Sequence, residues 1–187
     1  MKKHIIRQLI VVISFCIVLL SLTFRVAAQS EAAKADVRPQ EKDPKELPGD
    51  PRVRIALRKL KLNFGVTKLG NYNLIYKLPE SGRQQEIFIS SATDKFGVLE
   101  TRKIWSTIGV MDKPLSKDMA NKILMNNTRN KIGRYELVYN EDNKKYILSF
   151  AVMADVEAHP TVLREIIRIV FVLADRKEEE WFKKDLF

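Results

Sequence analysis

Few residues of this chain have the type and spacing that chemistry requires. Asp155 and Glu157 lie two apart in the stretch MADVEAHP. On a strand that spacing sends both carboxylates to one face, as half of a hard-cation site or as a carboxylate pair that a hydrolase acting on glycosides would use. Their ordinary role is a solvated strand end. His159 is the one histidine beyond residue 28, so a histidine-rich zinc site and a two-histidine motif are excluded. Beside Pro160 the ring is placed to cap a helix rather than to act as a general base. Ser81, in the connector PESGR, has only Glu80 as a neighbouring base, which falls short of a nucleophile, a base and an orienting group. The glycines are isolated, so no phosphate loop or dinucleotide fingerprint is present. The expectation is a non-catalytic chain with no metal and no cofactor.

Residues suited to binding are easier to find. Arg52, Arg54, Arg58, Lys59 and Lys61 place five positive charges in eleven residues that contain no acid. On a helical wheel Lys61, Arg54 and Arg58 take one flank and Lys59 and Arg52 the other, with Ile55 and Leu62 between them and opposite a core stripe of Val53, Ala56, Leu57 and Leu60. Arg54, Ile55, Arg58 and Lys61 are therefore candidate partner-binding residues, for an acidic protein or an anionic membrane or polymer. Trp105 is the other candidate. It shares a strand face with Leu99, Thr101, Lys103 and Thr107, and serves either as a packed core aromatic or as a platform for a peptide or sugar.

The N-terminal segment says where these residues work. Lys2, Lys3 and Arg7 precede a charge-free run from Leu9 to Phe24, and Val26 and Ala28 supply small residues before Gln29. This is the three-part pattern of a secretory signal over residues 1–28, with cleavage expected after Ala28; the alternative is an uncleaved membrane anchor formed by residues 9–24. The single cysteine, Cys16, lies inside that run, so the mature chain has no thiol and no disulfide. Residues 29–50 carry three prolines among charged residues and read as a disordered linker. Residues 51–187 then form one domain with 25 basic and 17 acidic groups, a net charge of +8. Export argues against nucleic acid, leaving a protein partner, anionic lipid or envelope polymer.

The elements that must position the candidates follow from periodicity. Asp50-Pro51 caps a helix over about 51–62. Tyr72, Leu74, Tyr76 and Leu78 mark a half-buried strand, a second strand spans about 84–90, and the connector between them is a hairpin tip, with Gly82 at positive φ and Glu80, Ser81 and Arg83 solvating its outside. A third strand runs from Val98 to Ile108. Ser116 caps a helix to about Asn127, and a hairpin of 134–139 and 146–152 follows. The last helix opens near His159-Pro160 and reaches at least Arg176, with an apolar arc of roughly 200°. That arc needs cover on two sides, from the sheet and another helix or from a second copy across a homodimer interface. The expected fold is α+β, a single domain with a five-stranded antiparallel sheet flanked by helices, in the order α-β-β-β-α-β-β-α.

This order, with LNFGV before GNYNLIYKL, GRQQEIFISS, ETRKIWS, PLSKDMANKIL with IGRYELVY, and FAVMADVEA leading to a long helix ending ADRKEEEW, resembles the YbjN-type family within the type III secretion chaperone-like fold. The resemblance implies an antiparallel sheet flanked by helices, often dimeric, that works by binding protein. The expected function is an exported, non-catalytic protein-binding domain of the cell envelope, chaperone-like or regulatory. The alternative is a peripheral binder of anionic membrane or polymer through the basic first helix, and a carboxylate hydrolase stands third.

Overall fold

The computed structural model describes residues 36–37, 49–78 and 81–183. The predicted signal, residues 1–28, and most of the predicted linker lie outside these. Within the linker, Asp36–Val37 forms strand β1, paired antiparallel with Lys77 and Tyr76. Gly49 and Asp50 already belong to the fold: a Cβ on Gly49 would sit 2.8 Å from the Tyr72 hydroxyl.

Helix α1 spans Pro51–Lys59. Strands β2 (Gly65–Val66), β3 (Tyr72–Lys77), β4 (Gln84–Ile89), β5 (Asp94–Phe96) and β6 (Leu99–Met111) precede α2 (Lys117–Asn127). Strands β7 (Arg134–Asn140) and β8 (Lys145–Asp155) precede α3 (Pro160–Phe182). Among the described residues the fold is α+β, one antiparallel sheet with three helices. The predicted strand number of five is corrected to eight among the described residues, because β1, β2 and β5 are too short to show an alternation. The main path runs β1-β3-β4-β6-β8-β7, so the last strand inserts between β6 and β7 and leaves β7 at the edge.

Period-two alternation fixes which face each side chain takes. Tyr72 and Leu74, Ile87 and Ile89, Ile104 and Ile108, and Leu148, Phe150 and Val152 all point to one face and are buried there. They form a single apolar cluster with Val53 and Leu57 of α1, Ile123 of α2, and Leu163, Ile167, Val170 and Ala174 of α3. All three helices thus lie on the same face. Helix α3 crosses the middle of the sheet against β4, β6 and β8 and touches α1 as well, which accounts for most of its wide apolar arc. Phe171, at the edge of that arc, is 3% exposed and rests 5.4 Å from the Tyr76 ring.

Helix ends follow their caps. Asp50 accepts from the Arg52 N–H, Ser116 from the Met119 N–H, and the His159 ring from the Thr161 N–H, with Pro51 and Pro160 in first-turn positions. The predicted end of α1 at residue 62 is corrected to Lys59. Lys61 turns to φ 55°, its N–H donates to the Arg58 carbonyl, and the Leu62 N–H donates to the Leu57 carbonyl. This two-bond closure folds Leu62 back onto the core.

Candidate functional site

The sheet face turned away from the helices is the best-built surface available for a partner. It is assembled from β3, β4, β6, β8 and β7, whose outward residues belong to none of the helix-covered cluster. At its centre the register sets Phe88 opposite Trp105 and Trp105 opposite Ala151. The Phe88 and Trp105 rings stack with centroids 5.4 Å apart and planes 20° from parallel. Both are half-buried, while Ala151 and Ser149 on the adjoining strand β8 are buried. Lys103 Nζ lies 5.6 Å from the Trp105 ring centre and also pairs with Glu136, which Arg134 holds from the other side at 2.7 Å. The result is an aromatic centre beside a charge triplet, the combination of apolar area and oriented polar groups that protein interfaces use.

Trp105 therefore does not fill the interior, the ordinary role weighed for it, because its alternation phase is opposite to that of Ile104 and Ser106. Phe88 is the partner that sequence reasoning missed. The signal was available: in EIFIS it takes the phase opposite to Ile87 and Ile89.

The basic candidates lie elsewhere and are not brought together with Trp105, since α1 packs on the other face of the sheet. Ile55 is 54% exposed, and Arg58 and Lys61 are exposed, whereas Arg54 is half-buried. The wheel's second apolar residue, Leu62, has gone to the core as described above. Arg52 is held in an ion-pair network. It donates to Asp50 (2.8 Å) and Glu100 (2.9 Å) and reaches Glu157 (3.3 Å).

The same network contains a pair that the sequence reading did not anticipate. Arg102 points inward from β6, is 3% exposed, and donates to Asp50 at 2.7 Å and to the Ser90 carbonyl at 2.9 Å. Burial alone would raise the Asp50 carboxyl, but hydrogen bonds from Arg52 and Arg102 overcome it and hold the group well below the usual carboxylate range. The Arg52 hydrogen bond keeps Glu100 at about 2. With Tyr72 donating to the Asp50 carbonyl and the Asp50 N–H donating to Ser91, this knot anchors the start of α1 to the sheet.

Asp155 and Glu157 do not converge. Asp155 accepts the Glu157 N–H at 2.8 Å in a local turn, and the Glu157 carboxylate faces Arg52. Among the described residues no group of three or more histidine, cysteine or acidic side chains is arranged to hold a metal ion. Ser81 accepts the Arg83 N–H, turn chemistry in a hairpin whose Gly82 has φ 71°; Glu80 lies outside the described residues. The expectation that Arg83 solvates the tip is overturned. Its guanidinium bends back to α3, 2.8 Å from Asp175 and 3.2 Å from the fully buried Glu178.

Among the described residues no helix is long and apolar enough to cross a membrane, and the apolar run of residues 9–24 lies outside them. No family model, no curated protein and no solved structure matches the chain.

Proposed function

We propose that the protein is an exported, non-catalytic protein-binding domain of the cell envelope, and that it engages its partner through the open sheet face centred on Phe88 and Trp105. The observation that supports this is the one-sided helix layer. The uncovered face carries a stacked aromatic pair among polar side chains, and a Lys103–Glu136–Arg134 triplet beside it supplies orientation. Aromatic and arginine side chains at the centre of a surface are where binding energy concentrates. A place in the YbjN-type family, with its protein-binding members, belongs to this proposal, as do cleavage after Ala28 and residence outside the cytoplasm.

Affinity capture from an envelope extract tests it with the full chain as bait. Replacing both Phe88 and Trp105 by Ala should abolish recovery of a defined protein, since each large anchor contributes about 2 kcal/mol or more to such a contact. The triple change Arg54→Gln, Arg58→Gln and Lys61→Gln should leave recovery intact. A second reading, docking of α1 on anionic membrane or polymer, is favoured by the exposure of Ile55 beside Arg58. Each basic residue near an anionic surface adds only about 1 kcal/mol, so that binding would be weak and salt-sensitive. It predicts the reverse pattern: loss with the triple change and none with the aromatic one.

A further inference from the structure

The three most exposed large apolar side chains among the described residues are Val98, which is fully exposed, Leu69 (85%) and Phe96 (71%). All three lie at the tips of tight turns. In the turn 67–70 the Gly70 N–H donates to the Thr67 carbonyl and the Thr67 N–H donates to the Asn71 carbonyl, both at 2.8 Å, which leaves Lys68 and Leu69 at the outer corner. Strands β5 and β6 pair Phe96 with Leu99, and the two residues between them, Gly97 at φ 63° and Val98 outside the positive-φ region, follow the II′ hairpin pattern. Each tip reads lysine, apolar residue, glycine: Lys68-Leu69-Gly70 and Lys95-Phe96-Gly97. Both glycines have positive φ. The Ser91 hydroxyl donates to the Gly70 carbonyl at 2.5 Å, tying the first turn to the segment that leads into β5, so the two tips share one pole of the sheet.

We propose that this pole is a membrane-contact site, at which Leu69, Phe96 and Val98 enter the interfacial layer of a bilayer with zwitterionic headgroups. Shape favours lipid as the occupant. The tips are convex and separate, so a protein would need two matched pockets, whereas lipid closes around protruding side chains of any outline. Charge selects the headgroup. Arg52 pairs with Asp50, Glu100 and Glu157, Arg102 with Asp50, and Lys95 with Glu100 at 3.6 Å. With Lys68 and the acids Asp94 and Asp155 included, the pole holds four cations and five anions. It therefore has no positive field to draw it to an anionic surface, and a headgroup layer that balances both signs is its complement. Insertion of this kind is driven by apolar area and is insensitive to salt, unlike docking of α1. It is also independent of the proposed partner surface and compatible with it. Six strand residues, about 20 Å, separate Leu99 from Trp105 along β6, and interfacial insertion reaches only about 5–10 Å, so Phe88 and Trp105 stay clear of the lipid.

The test places an environment-sensitive fluorophore on Val98→Cys, and separately on Leu69→Cys, in the full chain with Cys16→Ser. Each is mixed with phosphatidylcholine vesicles that carry a spin label high on one acyl chain. Leu124→Cys is the control, an apolar position 63% exposed on α2. The expected result is blue-shifted emission quenched by the spin label at positions 98 and 69, the same at low and high salt, and no quenching at 124. Adding Phe96→Ser to the Val98→Cys chain should lower the ratio of inserted to free tip by about tenfold, since burying one such side chain is worth about that factor. Absence of quenching at either tip, equal quenching at 124, or quenching that requires anionic lipid and disappears in high salt overturns the proposal. A shift at position 98 that grows with protein concentration without vesicles overturns it as well, because a second copy would then cover the tip.

Discussion

Arg83 carries more of the structure than its place in a turn suggests. Its guanidinium pairs with Glu178, a carboxylate with no solvent exposure on the inner side of α3. Arg83→Met should lower unfolding free energy by about 3–5 kcal/mol, the usual cost of removing one member of a buried ion pair, measured by urea denaturation. Adding Glu178→Leu should restore part of the loss, because the fully buried carboxylate is gone while Asp175 still lacks its arginine. Asp50 and Glu100 give a pH signature. Both carboxyls are depressed from ordinary values of 3.8 and 4.5, so the folded state binds fewer protons than the unfolded chain. Their stabilisation is present above about pH 4.5; the Glu100 share is lost as pH falls towards 2 and the Asp50 share at still lower pH. The melting temperature should therefore drop over that interval, and the drop should be shallower in Asp50→Asn. Part of this chemistry was legible. The caps at Asp50, Ser116 and His159 follow from residue type next to a proline or an apolar run. Arg102 and Glu178 were visible only as charges in the apolar phase of a strand and a helix. Which acid or base would meet them depends on contacts 52 and 95 residues apart in the chain.

At the scale of elements, α3 was readable in its apolar arc, but the arc does not say what covers it. The structure gives Phe171 to the interior against Tyr76, so a dimer surface at that position is excluded by its burial. Phe171→Glu should therefore yield an unfolded chain by circular dichroism rather than a folded monomer, since an unpaired charge would be buried. The C-terminal turn of α3 makes a second demand. Phe182 lies across Gly109 so closely that a Cβ there would stand 2.4 Å from its ring. The β6–β8 register shifts between Thr107 and Gly109, and the Gln85 amide donates to the Thr107 carbonyl at 2.7 Å. Gly109→Ala should cost about 1–3 kcal/mol through overpacking, and Gly109→Ala with Phe182→Leu should cost less, as read from denaturation midpoints. The long strands announced themselves by alternation. The two- and three-residue strands could not, because their pairing is set by neighbours in space rather than by their own composition.

At the scale of the whole molecule, a sheet covered on one side leaves a second face to be explained, and the account places a protein partner there. On the proposed export, that partner is met outside the cytoplasm. N-terminal sequencing of the chain recovered from its cells should begin at Gln29, whereas recovery of the intact chain from membranes would replace the cleaved signal by an anchor. The sequence offered Trp105 but not its surface, since alternation assigns two faces without saying which one the helices take. The most direct measurement is site-specific photo-crosslinking in living cells, with a photoreactive residue at position 105, 88 or 55 of the full chain. The account predicts an adduct of one defined protein mass from positions 105 and 88 and none from 55. Adducts confined to position 55, or lipid adducts in place of protein ones, would contradict it and move the working surface to the basic helix.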